Sequence, residues 1–446
     1  MERRIIQVEE KVPFLQGLPL SFQHLFAMFG ASVLVPFLFN QAARTASGNP
    51  DLVIIDPALV LLMNGIGTLI YLFVCKGKAP AFLGSSFAFI GPATAVILSS
   101  PDYQENFAKA LGGFIVSGLI FMTVAGIIGR AGTKWINVIL PPAAMGPVVA
   151  LIGLELARTA ADMSGLLPDK SGVYNNYAII VSMFTLSMVI FGSILFRGFM
   201  AIIPVLIAVL SGYGLSALLN IYHPGLVNYS AITEKSWFFI PKMVLPVFDV
   251  NAILIIIPAA LVVMSEHIGH LFVTGQIVGR DLVKDPGLHR SLFSDGISTA
   301  LSGCAGSVPT TTYGENMGVM AITGVYSVWV IGGAAVISII MAFFGKLSAA
   351  ISSIPIPVMG GVSLLLFGVI AASGIRMLVE AHVDYSKTRN LTLTAIVFIA
   401  GISGVTIKIG EVGLTGMALA TVTGMVLSLI FYVLDKLHLT NEIEKK

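Results

Sequence analysis

The chain has 446 residues, 56% of them hydrophobic and only 11% charged, whereas a soluble domain carries roughly 25% charged residues. Its formal net charge of +2 is spread over many short polar stretches and gives no pointer to nucleic acid; no nucleic-acid partner is expected. Soluble globular classes are excluded with it, and the composition is that of a polytopic protein whose solvent is the lipid bilayer.

In chain order, the opening MERRIIQVEEKVPF has no apolar run ending in a small-residue cleavage site, so the first apolar segment is expected to be retained. A crossing takes about 20 apolar residues. Crossings are predicted at 18–39 and 57–75, then an irregular 82–98, then 107–128, 135–156, 177–195 and 200–221. A second set of seven follows: 250–273, a short 292–304, a mixed stretch 307–323, and 326–344, 354–375, 391–407 and 412–434. A long loop is expected over 40–56, in the first set alone. Fourteen crossings put both termini on one side, and with the termini inside, the 25 Lys and Arg divide seventeen inside to eight outside, the bias expected of cytoplasmic termini. Cys75 and Cys304 lie in or beside apolar segments and read as inert thiols rather than a disulfide.

The two sets of seven resemble each other. PPAAMG from Pro141 is echoed by PIPVMG from Pro355, Leu111-Gly112-Gly113 by Ile331-Gly332-Gly333, and Gly84-Ser85 by Gly306-Ser307, all at nearly the same offset. Because seven is odd, the second copy enters the membrane from the opposite side, which predicts an all-α polytopic fold of two inverted seven-helix repeats. Irregular segments at equivalent places in both copies mark a midplane site, and here they are 84–93 and 306–315. Aligning the first spans sets Gln23-His24 opposite Glu266-His267, the long first loop accounting for the extra residues.

The mixed stretch SVPTTTYGENMGVMAIT (307–323) is too polar to face lipid and too apolar for an ordinary loop. An acid within it, Glu315, is tolerated only against protein or a watery cavity and is a functional candidate. In the eighth span Glu266 and His270 stand four apart and share a helix face, while His267 is turned about 100° away toward another part of the bundle. A carboxylate is costly to keep charged there, so Glu266 can exchange a proton; a structural Glu–His bond between helices is the plain alternative. The string E-H-x-x-H also suggests zinc and an intramembrane metal-dependent hydrolase, but its histidines are three apart and the acid does not lie between them. No metal is expected. Phe87 follows the small Gly84-Ser85-Ser86 run, where backbone can leave the helix, and an aromatic face beside free amides suits a flat heterocycle. Phe89 is read as core.

These residues resemble the nucleobase–ascorbate transporter family of nucleobase–cation symporters, nearest its bacterial uracil permeases. The signature stands as Glu315-Asn316-Met317-Gly318 followed by Thr323-Gly324, and the likeness runs through QHLFAMFGA (23–31), GSSFAFI (84–90), PPAAMG, SEHIGH (265–270) and PVMGGVSLLL (357–366). The resemblance implies a core domain (1–130 and 246–347) working against a gate domain (131–245 and 348–446), with short antiparallel β-strands interrupting spans 3 and 10. It implies that Glu266 and Glu315 accept substrate N–H groups, that Phe87 and Gly314 offer backbone amides beside Tyr313, and that His270, with His24, shares proton handling with Glu266. It also implies proton-coupled uptake of uracil across the cytoplasmic (inner) membrane, no cofactor beyond the coupling proton, and a homodimer. A xanthine or other purine permease of the same fold is the alternative; members taking xanthine or urate usually carry Gln where Glu315 stands. Phe367 departs from the Tyr of close uracil permeases, which removes a hydroxyl.

Overall fold

The structure is a computed structural model that describes residues 5–440 except 170, 223, 224, 226, 228, 410 and 411. Of the cations counted above, Arg3, Arg4, Lys170, Lys445 and Lys446 lie outside the described residues. The chain is mostly helical. Its first half comprises α1 (Phe14–Ser47), α2 (Pro57–Val74), β1 (Leu83–Ser85), a 3-10 turn (Phe87–Phe89), α3 (Ile90–Ile97), α4 (Tyr103–Ala131), α5 (Ile136–Ile139), α6 (Pro142–Glu155), α7 (Ala157–Met163), α8 (Asn176–Leu195) and α9 (Pro204–Tyr222). After the short α10 (Ser230–Glu234) come α11 (Val250–Val278), α12 (Leu288–Ala305), β2 (Thr310–Thr312), α13 (Gly314–Thr323), α14 (Val328–Ala342), α15 (Gly345–Ser352), α16 (Ile356–Glu380), α17 (Thr388–Ile402), the hairpin β3 (Ile407–Ile409) and β4 (Val412–Leu414), and α18 (Gly416–Lys436).

Among the described residues, nine helices are long and apolar enough to cross a membrane, and shorter apolar helices occur at 87–97, 328–342 and 388–402. The chain is therefore a multi-pass membrane protein. Helix α12 is absent from the nine because it carries Ser291, Ser294, Asp295, Ser298, Thr299 and Ser302, all buried inside the protein rather than facing lipid. Helix α9 is the reverse case, burying chiefly its Ala208, Gly212 and Ser216 stripe and exposing Leu210, Leu218 and Ile221.

The structure corrects one expectation. Residues 40–47 continue α1 instead of opening a long loop, because the run QAARTA contains good helix formers and the helix stops only at Gly48, whose φ of 68° suits a residue without a Cβ. The connection to α2 is residues 48–56, tied down by Asn40, whose side-chain oxygen accepts from the Ile54 and Ile55 amides at 2.9 and 3.1 Å. Two other predicted spans start with breaks. Residues 135–156 divide at Pro141 into α5 and α6, and residues 200–221 begin as 3-10 turn before Pro204 opens α9.

The halves interlock. Helix α2 packs on α14 and α4 on α12, so each half contributes one partner to each contact. Where α4 crosses α12, a Cβ on Gly118 would lie 2.6 Å from the Gly296 carbonyl, and one on Gly296 would lie 2.7 Å from the Gly118 carbonyl. The two backbones touch there, which only glycine permits. One hydrophobic core runs through both halves, with Phe39, Phe82, Phe89, Phe107, Phe114 and Phe121 among its fully buried side chains. Phe89 stacks edge-on against Phe114 with centroids 5.7 Å apart.

Candidate functional site

The two irregular segments meet. Strands β1 and β2 pair antiparallel, Leu83 opposite Thr312, Gly84 opposite Thr311 and Ser85 opposite Thr310. The pairing is extended by Tyr313 N–H donating to the Phe82 carbonyl (3.0 Å) and Ser86 N–H donating to the Pro309 carbonyl (2.8 Å). A two-stranded ladder three residues long cannot hold itself, so neighbouring helices satisfy its outer edges. Thr68 of α2 accepts from Leu83 N–H at 2.9 Å and reaches the Leu83 carbonyl at 3.4 Å. Thr299 of α12 does the same for Thr310, accepting from its N–H at 3.3 Å and donating to its carbonyl at 3.1 Å.

Tyr313 braces this crossing from behind. Its hydroxyl donates to the Ser85 carbonyl at 2.9 Å, and its ring fills the place a Cβ on Gly84 would take, 2.4 Å from the ring carbons. Gly84 is therefore glycine because an aromatic ring lies on its backbone. Beyond the strands, the 3-10 turn with α3 and helix α13 leave the crossing, and neither Ser86 nor Tyr313 caps the following turn with its side chain. Uncapped first-turn N–H groups are donors in want of acceptors.

Around those donors stand the other residues singled out from the sequence. Glu315 lies half-buried in the first turn of α13, where a carboxylate suits the helix dipole. A Cβ on Gly314 would meet Met317 Cε at 3.7 Å and His270 Nε2 at 3.8 Å, ordinary contacts that leave no clash. His270 Nδ1 faces the Thr312 carbonyl at 2.8 Å and the Thr312 hydroxyl at 3.0 Å. Donation to the carbonyl puts the proton on Nδ1 and leaves Nε2, beside Gly314, as the acceptor. Glu266, one turn earlier on α11, keeps Oε2 buried without a hydrogen-bond partner and lies within electrostatic range of Asp295 and Glu315. Phe87 is buried, its ring edge-on to Phe367 of α16 with centroids 6.1 Å apart. The departure at Phe367 thus supplies an aromatic edge to Phe87. Donors from backbone, acceptors from carboxylates and a flat aromatic wall together suit a small heterocycle bearing both N–H groups and carbonyls.

The sequence profile of a permease family matches residues 15–410. The chain belongs to this permease family, that of the nucleobase–ascorbate transporters. It is 56% identical over 438 residues to the uracil permease of Escherichia coli (strain K12), covering 98% of this chain and 96% of that one. It is 53% identical to the uracil permease of Paenibacillus larvae subsp. larvae, over 99% of this chain and all of the other. The fold is also that of the SLC26A9 structure, with a TM-score of 0.67 at 11% identity over 93% of this chain; the chain spans 65% of that protein's length. A family of permeases, not of enzymes, is the setting of the site.

Within this permease, His24, expected to share proton handling at the site, stands a layer behind it, and His267 lies apart from it as expected. His24 is buried in α1, its Nδ1 3.2 Å from the side-chain amide of Asn316, which also donates to the His24 carbonyl at 3.1 Å. Histidine and signature asparagine thus tie α1 to α13. His267 turns away from Glu266, as its helical position requires, and meets α12: Nε2 is 2.6 Å from the Ser291 hydroxyl and Nδ1 is 3.0 Å from Asp295 Oδ2, an ion-pair contact without hydrogen-bond alignment. Tyr71 completes that buried cluster through Ser291 at 3.0 Å.

Sequence reasoning passed over Thr68, Thr299 and Asp295, although a signal for them exists. Asn64-Gly65-Ile66-Gly67-Thr68 is repeated as Asp295-Gly296-Ile297-Ser298-Thr299. The two threonines hold the two strands, and the two leading residues reach equivalent first helices, Asn64 donating to Ser32 of α1 and Asp295 meeting His267 of α11.

Proposed function

We propose that this permease carries uracil into the cell together with protons, by alternating access across the cytoplasmic membrane. The observation that carries the reading is the strand crossing itself. It brings the uncapped starts of the Phe87–Phe89 turn and of α13, with Glu315 in its first turn, together inside the protein, which supports a site shared with Glu266 and Phe87. Uracil has two ring N–H donors and two carbonyl acceptors, so two carboxylates and backbone N–H groups form a complementary set, and an analogue lacking a donor would leave a buried acceptor unpaired. The names of the similar permeases support the same substrate.

In this reading the chain makes fourteen crossings in two inverted repeats, with both termini in the cytoplasm and the strands interrupting spans 3 and 10. The core (1–130 and 246–347) bears the strands and both acids and moves against the gate (131–245 and 348–446), which touches the site through Phe367. Glu266 takes the coupling proton, His270 assists it, and His24 steadies Asn316. Two chains associate through their gates, and no cofactor is required.

Uptake of labelled uracil by cells lacking their own uracil transport tests this, with unlabelled uracil, thymine, xanthine and urate as competitors. Uracil is expected to compete best, and inhibition by xanthine alone would transfer the protein to the purine carriers. Glu315→Ala is expected to abolish uptake at unchanged membrane abundance. Near-normal uptake would remove Glu315 from the site.

A further inference from the structure

Residues 6–11 lie against the connection from α13 to α14. Ile6 N–H donates to the Gly324 carbonyl at 2.9 Å, and its own carbonyl accepts from Tyr326 N–H at 2.9 Å. The Val8 carbonyl accepts from Val328 N–H at 2.9 Å, and the Glu10 carbonyl accepts from the Ser327 hydroxyl at 2.6 Å. Val8 is fully buried, and Lys11 sits 4.7 Å over the Trp329 ring. Between these anchors Glu9 reaches the other way. Its two carboxylate oxygens take Arg280 Nη1 at 2.5 Å and Nη2 at 2.9 Å, and Arg280 directly follows Gly279, the cap that ends α11. Six residues therefore connect the far end of α13, which starts with Gly314 and Glu315, to the far end of α11, which carries Glu266 and His270.

We infer that residues 6–11 are a strap that positions α13 relative to α11, with Glu9 and Arg280 as its positioning pair. The inference rests on the reading of these two helices as the ones that hold substrate. Helix α13 is ten residues long and uncapped by a side chain at its start. Such a short helix depends on tertiary contacts at its other end, and there the strap supplies a backbone ladder. The ladder alone fixes α13 to the N-terminal segment; the bidentate pair carries that fixation to α11, where a forked guanidinium–carboxylate contact constrains orientation as well as distance. Neither residue touches the site, so their effect on substrate is indirect.

The protein reconstituted in lipid provides the test, using Glu9→Arg, Arg280→Glu, the double charge swap, and Ile6→Pro, which removes the Ile6 N–H donor and leaves the charges alone. Two quantities are read at matched abundance: the KM for labelled uracil in proteoliposomes, and amide hydrogen exchange of residues 314–323. Each single charge variant is expected to raise KM about threefold to fivefold, the most that an exposed pair commonly supports, with little change in maximal rate and faster exchange in α13; Ile6→Pro is expected to raise KM and speed that exchange as well. The swap is expected to restore both. Unchanged KM and exchange in the single variants would overturn the strap, as would a loss of abundance or maximal rate with both unchanged, or a swap that restores neither. Exchange is measured without substrate, so absence of uracil transport in the parent protein would sink the uracil reading while leaving the strap to be decided by exchange.

Discussion

The contact between Gly84 and Tyr313 shows how narrowly single residues define the crossing. The Tyr313 hydroxyl is anchored on the Ser85 carbonyl, so its ring has no freedom to withdraw from the Gly84 backbone. Tyr313→Phe keeps the ring and leaves a buried carbonyl short of a donor, a loss of about 1–3 kcal/mol. Gly84→Ala puts a methyl group where the ring is and forces strand or ring to move, at about 1–3 kcal/mol or more. Thermal unfolding of the purified protein should therefore show both variants destabilised. The combination Gly84→Ala with Tyr313→Ala should fall short of the sum of its single changes, since removing the ring vacates the space the methyl needs. Full additivity would mean that the two residues do not share that contact.

Among elements, the strap and the paired strands differ in how visible they are from sequence. Apolar length locates most helices, and the common offset between the repeats locates both irregular segments. The strands themselves are three residues each, too short for alternation to register, and the threonines that hold them lie on helices rather than beside them. Helix α12 reads as short and weak because its polar residues face α11 and the strands, and hydropathy cannot distinguish a polar face turned to protein from one turned to water. The strap is invisible for another reason: nothing in IIQVEEK shows that its backbone pairs with residues more than 300 positions away. Its charge pair has a pH signature. The Arg280 guanidinium holds the Glu9 carboxyl below its ordinary value, and Lys78, itself paired with Asp285 at 2.6 Å, adds to the effect. A carboxyl lowered in the folded state stabilises above its unfolded pKa of about 4.3 and loses that contribution as pH falls through the folded value. The melting temperature of the parent protein should thus exceed that of Glu9→Gln near neutral pH, and the gap should close in acid. A gap that persists in acid would assign the stabilisation to something other than the charge.

For the whole molecule, the proposed coupling requires that protons drive a substrate with no net charge. Buried acids divide by their neighbours: Asp295 stands 3.0 Å from His267 in a cluster with Ser291 and Tyr71, whereas Glu266, with a buried oxygen that has no hydrogen-bond partner, stands one turn from His270 on α11. A group that binds a proton differently in two conformations links the proton gradient to the movement between them, and an acid held against a histidine in a buried cluster has less reason to change. Glu266 is therefore the residue whose neutralisation should separate binding from coupling. In proteoliposomes, one proton per uracil supports about tenfold accumulation for each pH unit of inward gradient, since a unit is worth about 1.4 kcal/mol. Glu266→Gln is expected to keep exchange of labelled for unlabelled uracil and to lose that tenfold rise. Exchange without accumulation would place the coupling proton on Glu266; accumulation that still follows the gradient would move it to His270, whose Nε2 faces the same space beside Gly314.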